Sequence, residues 1–235
     1  MTVPSVTTGR GAFTAIGKGN GSRYYEYIVG KPLDGGTKTV DTNFEAVNLG
    51  VKAIQTRINA YGYSPLLTED GVLGAKTKAA IVWVQRRLAL TADGVAGPAT
   101  CRALWRDIVT WAGAVKVVPG AHLWGIMLQE SVADPGAVGF STPSDRGLFQ
   151  INLAVHVEVT PGMAHDPAYA ANYTAQRLAQ ARAKYADKGT TLQTQCSIAQ
   201  HNSPTAAASW YKTGTAPNDK IATYVERVLT RAKTF

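Results

Sequence analysis

The sequence predicts a mainly α-helical protein, with a small three-helix bundle followed by a larger α-rich domain. Three observations support this fold class. Apolar side chains recur every three or four positions in three segments of residues 47–108, which is the period of an amphipathic helix. A DGxxGxxT motif occurs twice between those segments. Helical spacing then returns in residues 122–131 and near the C-terminus, in residues 218–233.

Each helix of the predicted bundle has its own signals. The first has Val51, Ile54 and Ile58 at helical spacing, and Gly62 can end it. The third begins at Pro98, because proline is favoured in the first turn of a helix. The second carries its apolar stripe on four residues, which are Ala80, Trp83, Val84 and Leu88.

The two copies of the repeat, DGVLGAKT (70–77) and DGVAGPAT (93–100), lie 23 positions apart. Asp-Gly predicts a tight turn, in which the carboxylate accepts nearby N–H groups and the glycine takes a positive φ. The valine is expected to anchor the loop, the second glycine to turn the chain into a helix, and the threonine hydroxyl to meet unpaired backbone donors there. The motif residues are Asp70, Gly71, Gly74, Thr77, Asp93, Gly94, Gly97 and Thr100.

The sequence divides into four segments. Residues 1–46 are rich in glycine and predict an extension, with a strand at 22–30 and a return strand at 39–43 as a small hairpin. Residues 47–108 form the bundle, and residues 109–120 form a connector that ends at Pro-Gly. Residues 121–235 form the second domain.

The chain is basic, with 24 Lys and Arg against 16 Asp and Glu, a net charge of +8. Such a charge favours a nucleic acid, an anionic membrane surface or an anionic wall polymer as partner. Basic residues do not alternate with aromatic ones as on an RNA-binding sheet, which argues against nucleic acid. The absence of a long apolar run argues against membrane insertion.

Residues 47–108 resemble the type-one peptidoglycan-binding domain, a three-helix cell-wall module. The resemblance rests on Gln55 in the first helix, Trp83 and Gln85 in the second, and the two DGxxGxxT motifs that follow these helices. It implies that bacterial peptidoglycan is the partner and that the motif residues are mostly scaffold. The net charge of this segment, with eight basic and four acidic residues, suits an anionic wall.

Glu130 is the candidate acid of the second domain. Leu123, Ile126 and Met127 lie at helical spacing before it, so its carboxyl belongs beside an apolar face near the end of a helix. Desolvation and the negative end of the helix dipole would both raise its pKa, as a general acid needs. A solvated glutamate at a helix end is the alternative reading of the same pattern.

The order of motifs in residues 121–235 resembles the lysozyme-like domain of soluble lytic transglycosylases, a family that includes goose-type lysozymes. The elements are ES (130–131), DPGAV (134–138), DRGLFQIN (145–152), DPAYA (166–170), HN (201–202) and YV (224–225). Two of them depart from the family pattern: His201 replaces a tyrosine, and Ala170 stands where an asparagine is usual.

The resemblance implies a role for individual residues. Glu130 matches the catalytic acid and Ser131 the serine that supports it. The remaining cleft residues that the resemblance implies are Gln150, His201, Asn202 and Tyr224. Glu130 would protonate the glycosidic oxygen between N-acetylmuramic acid (MurNAc) and N-acetylglucosamine (GlcNAc), and would then act as the base in closing a 1,6-anhydro ring.

The goose-type branch hydrolyses the same bond with water, which an additional aspartate can hold. Asp145 is the favoured candidate for this second carboxylate, with a loop cap as the alternative. Asp134 precedes a proline and is better explained as a turn residue.

The sequence predicts no cofactor and no metal site, because its four histidines lack ligand spacing. The two cysteines are expected to be small buried side chains. The domain order, the small size and the missing signal-like segment resemble those of bacteriophage endolysins. The resemblance implies a monomer that accumulates in the host cytoplasm and reaches the wall after membrane permeabilisation. The alternatives are a hydrolytic muramidase, a virion-associated lysin and a non-catalytic wall-binding protein.

Overall fold

The computed structural model describes residues 40–139 and 144–235. These residues form nine helices and one two-stranded sheet, which confirms the mainly α-helical fold class. The helices are α1 (Val40–Ala60), α2 (Ala75–Arg87), α3 (Pro98–Lys116), α4 (Gly120–Glu130), α5 (Pro161–His165), α6 (Pro167–Lys184), α7 (Thr190–Asn202), α8 (Pro204–Thr213) and α9 (Asp219–Ala232). The strands are β1 (Asp145–Arg146) and β2 (Ile151–Asn152).

The described residues divide into two compact units that each use two stretches of chain. The first unit joins the residues up to Asp107 with Glu130–Ala170, and the second joins Ile108–Gln129 with Ala171–Phe235.

The first unit contains the predicted bundle, which consists of α1, α2 and the first half of α3. Apolar residues at the predicted spacing, such as Ile54, Ile58 and Val84, are fully buried. Gly62 follows α1 with a φ of 90°, as expected for a helix stop. Arg57 joins α1 to α3, since its Nε donates to the Leu104 carbonyl at 2.9 Å and its guanidinium pairs with Asp107.

The same unit contains the segment from Glu130 to Ala170. In its two-stranded antiparallel sheet, Asp145 pairs with Asn152 and Arg146 pairs with Ile151. The short helix α5 packs against α1 and against β1. Asp166 then caps α6, because its Oδ1 accepts the amide of Ala168 at 2.8 Å and that of Tyr169 at 3.1 Å.

In the second unit α7 packs against both α8 and α9. Helix α4 approaches α9 so closely at Gly125 that a Cβ there would lie 2.2 Å from the Val228 carbonyl oxygen. Trp124 adds a hydrogen bond of 3.0 Å from its Nε1 to the Thr234 hydroxyl. As predicted, the last helix is amphipathic and buries its apolar residues.

Two expectations about the segments differ from the structure. The predicted return strand at 39–43 is wrong from Val40 onward, because α1 begins there. Apolar residues recur at Phe44, Val47 and Val51, so the helical period extends upstream of the segment from which it was predicted. The rest of the predicted hairpin lies outside the described residues. In the predicted connector, residues 109–116 continue α3 to Lys116.

Candidate functional site

The first copy of the repeat is organised by a buried glutamine on the preceding helix. The Gln55 Nε2 group donates to Asp70 Oδ1 at 2.9 Å, to Thr77 Oγ1 at 3.1 Å and to the Val72 carbonyl at 3.2 Å. Its Oε1 accepts the amide of Gly71 at 2.8 Å. One side chain therefore holds the turn at four residues.

The second copy repeats this arrangement with Gln85 on α2. Its Nε2 donates to Asp93 Oδ1 at 2.7 Å, to the Val95 carbonyl at 2.9 Å and to Thr100 Oγ1 at 3.1 Å. Its Oε1 accepts the amide of Gly94 at 2.9 Å. The hydrogen bonds to Asp93 from the Val95 amide and from Gln85 lower the pKa of this carboxyl, which keeps it ionised as an acceptor.

The first glycine of each motif has the predicted conformation, with φ of 76° at Gly71 and 74° at Gly94. The second glycine has an ordinary φ, and a Cβ added at Gly97 would meet nothing within 4 Å. The conformational requirement therefore falls on the first glycine alone.

Two further details of the predicted motif differ from the structure. In the first copy Val72 is 54% exposed and does not anchor the loop in the core, while Gln55 donates to its backbone carbonyl; Val95 in the second copy is half-buried. The Thr77 hydroxyl donates to that same carbonyl at 2.8 Å, although it was expected to accept from backbone donors. The motif hydroxyls and carboxylates are thus engaged within the turns, in agreement with a scaffold role.

We expect replacement of Gln85 by leucine to lower the free energy of unfolding by roughly 2–4 kcal/mol, because it removes four hydrogen bonds and leaves buried polar groups unsatisfied. Urea denaturation of the purified variant measures this. The control is Gln180→Leu, since Gln180 is exposed on α6. Equal stabilities of the two variants would contradict the scaffold role.

Glu130 is the last residue of α4 and is half-buried. The adjacent Ser131 is buried, and its hydroxyl donates to the Leu148 carbonyl at 2.8 Å. This bond joins the end of α4 to the GLFQIN segment, two motifs that lie far apart in the sequence but belong to the same predicted cleft.

The turn after Glu130 has an unusual backbone. Val132 and Ala133 have positive φ values of 56° and 72°, which a β-branched residue such as valine rarely adopts. The turn is closed by Asp134, whose amide donates to the Ser131 carbonyl at 3.1 Å and whose Oδ1 accepts the Gly136 amide at 2.8 Å. Such strain persists only where surrounding contacts determine the conformation, and it is concentrated at functional sites.

The hairpin formed by β1 and β2 carries two further predicted residues. Gln150 has a φ of 47° at the turn, and its Nε2 donates to the Gly147 carbonyl at 3.0 Å. Asp145 is half-buried at the start of β1, opposite Asn152. Within the first unit the structure therefore places four of the predicted residues, Glu130, Ser131, Asp145 and Gln150, on two segments that a hydrogen bond connects.

The other predicted cleft residues belong to the second unit. His201 and Asn202 end α7, with His201 half-buried and Asn202 exposed. Tyr224 is buried on α9, a helix that packs against α7. These three residues thus lie on two helices in contact with each other.

Two buried titratable side chains take part in this turn, the carboxyl of Asp134 within it and the imidazole of His165 in contact with it. Desolvation raises the pKa of Asp134 to about 8, with the Gly136 hydrogen bond opposing the shift. Desolvation also lowers the pKa of His165 to about 4, and its Nδ1 lies 2.7 Å from the Pro135 carbonyl. That contact requires the proton on Nδ1, so His165 is a neutral donor to the turn.

The Asp134 carboxyl makes stability depend on pH. Because its folded pKa exceeds the ordinary value of 3.8, the folded state holds a proton that the unfolded state has lost, and stability falls as pH rises towards about 8. The lowered pKa of His165 has the opposite effect on stability, because it makes the folded protein less stable as the pH falls below 6.5. Between pH 6.5 and 8 we expect the free energy of unfolding of the wild type to fall by about 2 kcal/mol as Asp134 ionises.

Asp134→Asn is expected to remove this loss, since asparagine keeps the acceptor for Gly136 but does not ionise. Denaturation at several pH values measures the difference. Asp187→Asn is the control because Asp187 is exposed. An unchanged pH slope in Asp134→Asn would show that this carboxyl is already ionised in the folded protein.

Two residues at this turn were missed by the sequence analysis. Trp105 is fully buried and donates from its indole Nε1 to the Ala133 carbonyl at 3.1 Å. His165 was considered only as a possible metal ligand. No local pattern identifies either residue, although the adjacency of His165 to the Asp-Pro element was a usable signal.

In residues 40–139 and 144–235, no three His, Cys, Asp or Glu side chains are grouped as metal ligands would be. Over the same ranges, no helix has the length and apolar character needed to cross a membrane.

Comparison with known proteins identifies part of the chain. Residues 48–104 match the model of a family described as "Putative peptidoglycan binding domain". The chain is also 40% identical over 67 residues to a Bacillus licheniformis protein named "Probable N-acetylmuramoyl-L-alanine amidase". This match covers 28% of the chain and 19% of that relative. Both glutamine-centred turns lie inside the matched range, and residues 48–104 form a peptidoglycan-binding domain.

Proposed function

We propose that this protein is a peptidoglycan-degrading enzyme that cleaves the MurNAc-β-1,4-GlcNAc bond with Glu130 as its acid and base. The observation that carries the proposal is the hydrogen bond from Ser131 to Leu148 beside the strained turn. It connects the candidate acid to the GLFQIN hairpin in a protein that also has a peptidoglycan-binding domain. Because the connected acid and hairpin occur together with a peptidoglycan-binding domain, we favour an enzyme that cleaves the wall over a protein that only binds it.

In the proposed reaction the Glu130 carboxyl gives its proton to the glycosidic oxygen as the bond to C1 of MurNAc breaks. The 2-acetamido group of the substrate stabilises the cationic centre. The Glu130 carboxylate then takes the proton of the C6 hydroxyl, whose oxygen bonds to C1 and closes the 1,6-anhydro ring. No water is consumed, so one carboxyl serves both steps.

Other residues have positioning roles in this scheme. Ser131 fixes the end of α4 through Leu148, and Gln150 lies on the hairpin that would line the cleft. Tyr224, His201 and Asn202 are proposed substrate-cleft residues of the second unit. Asp145, on β1, is the residue proposed to hold a water if the enzyme hydrolyses the bond as a muramidase.

An amidase is the second candidate, because the relative from Bacillus licheniformis bears that name. An amidase would cut the bond between MurNAc and the stem peptide and leave the glycan strand intact. This candidate rests on a match to 28% of the chain, whereas the glycosidase proposal rests on residues from Glu130 to Tyr224.

Mass spectrometry of the fragments released from purified sacculi distinguishes these reactions. We expect fragments that end in 1,6-anhydro-MurNAc, which are lighter than the reducing form by one water. Reducing MurNAc ends would instead indicate a muramidase and direct attention to Asp145. Free stem peptides on uncut glycan would indicate an amidase, and binding without any release would indicate a non-catalytic wall protein.

The biological role that we propose is host lysis by a phage endolysin, with a virion-associated lysin as the alternative. Both would use the same chemistry on the same polymer. Immunodetection in purified virions separates them, because only the virion-associated form would remain with the particle.

A further inference from the structure

The turn that follows Glu130 is held by a residue of the third bundle helix. Trp105 lies on α3, just beyond the matched range, and both Trp105 and Ala133 are fully buried. The indole Nε1 donates to the Ala133 carbonyl at 3.1 Å across 28 residues of sequence. Ala133 is the second of the two residues of this turn with positive φ, so the bond acts within the strained segment.

A second side chain also contacts the same turn. His165 at the end of α5 donates to the Pro135 carbonyl at 2.7 Å, and α5 packs against α1. Cys101, one turn before Trp105, is buried near Asp134, whose charge contributes to raising the pKa of the thiol. Residues of α3 and α5 therefore contact residues 133–135 within one compact unit.

We propose that Trp105 is a positioning residue for Glu130. Its hydrogen bond keeps Ala133 in the left-handed conformation, which keeps Ser131 on Leu148 and the end of α4 at a fixed place beside the hairpin. This inference rests on the proposed function, in which Glu130 is the acid. It makes the third bundle helix part of the catalytic apparatus as well as of the wall-binding side of the protein.

The proposal predicts different effects on kcat and on the affinity for the wall. A misplacement of about 1 Å in a catalytic group can lower a rate by about 100-fold. Loss of the Trp105 hydrogen bond is therefore expected to act on kcat. The hydrogen bonds of the glutamine-centred turns do not involve Ala133, so we expect the affinity of the protein for the wall to stay unchanged.

The test uses the full chain with Trp105→Phe, which removes the indole N–H and keeps an aromatic ring. With soluble uncrosslinked glycan strands as substrate, we expect kcat to fall by about 10- to 100-fold, while KM and binding to sacculi stay within about twofold. Trp124→Phe is the matched control, since it also removes one indole hydrogen bond of a buried tryptophan but leaves the Ala133 carbonyl satisfied. Its kcat is expected to stay within about threefold of wild type.

A second substitution tests the mechanism of positioning. Glycine accepts a positive φ without strain, so Ala133→Gly should reduce the need for the Trp105 hydrogen bond. We expect the double variant Trp105→Phe, Ala133→Gly to recover most of the lost kcat. If Trp105→Phe alone does not fold, a double variant that folds and regains activity supports the proposal. If neither variant folds, the proposal that Trp105 positions Glu130 is overturned.

Hydrogen exchange separates failure of this inference from failure of the proposed function. The amides of residues 133–136 should exchange faster in Trp105→Phe than in wild type or Trp124→Phe. If the wild type is inactive but Trp105→Phe still shows the faster exchange, the enzymatic proposal is refuted, while the role of Trp105 in holding the turn is retained. Unchanged exchange, or a folded Trp105→Phe with kcat within threefold of wild type, would overturn the inference.

Discussion

Replacing Glu130 by glutamine is expected to lower the rate of glycosidic cleavage by about 10²- to 10⁴-fold, the contribution typical of a general acid. Glutamine has nearly the same size but can neither give the proton to the leaving oxygen nor accept one from the C6 hydroxyl. Since Glu130 would serve both steps, the loss is expected at the upper end of this range. Mass spectrometric counting of released fragments over time measures it.

Glu226→Gln provides the control, because Glu226 is an exposed glutamate on α9. It should retain wild-type activity, and both variants should bind sacculi as wild type does. This retention is expected because the peptidoglycan-binding domain covers residues 48–104. A Glu130→Gln variant that releases fragments at the wild-type rate would refute the assignment of the acid, whatever the product.

Replacing Gly147 by alanine is expected to have the largest effect on stability. A Cβ at this position would lie 1.9 Å from the Ala164 carbonyl oxygen, and the residue has a φ of +71° that alanine adopts only with strain. The oxygen belongs to the backbone of α5 and cannot rotate away. We therefore expect a loss of about 4 kcal/mol or more, in the range that marks a severe steric mechanism.

Urea denaturation measures this loss, and Gly97→Ala is its matched control. A Cβ at Gly97 meets nothing within 4 Å and the φ there is ordinary, so that variant should lie within about 0.5 kcal/mol of wild type. If Gly147→Ala were equally stable, the close approach of the hairpin to α5 would be disproved. If a fraction of Gly147→Ala does fold, its activity would indicate how far the hairpin has moved.

The sequence predicted the bundle well because its signals are local. Ile54, Ile58 and Val84 follow a helical period, and the repeated Asp-Gly pair marks the turns directly. The C-terminal helix was predicted for the same reason, including its start, where Asn218 accepts the amide of Ile221 at 3.0 Å.

The candidate site was predicted only in part. Glu130 and Gln150 come from motifs that a family resemblance identifies, but the turn between them has no sequence signal. Val132 and Ala133 take positive φ values without being glycine, and the partner of the Ala133 carbonyl, Trp105, lies 28 positions away in the sequence. A pattern read over neighbouring positions contains no information about such contacts.

The two glutamine-centred turns also bear on the entropic cost of closing the chain. Each closes through hydrogen bonds between residues at most 22 positions apart, and the second needs only 15. The turn after Glu130 instead depends on contacts across 28 and 30 positions, from Trp105 and His165. Because closing longer loops costs more chain entropy, the peptidoglycan-binding turns should close at a slightly lower entropic cost than the candidate catalytic turn, by about 0.2–0.6 kcal/mol.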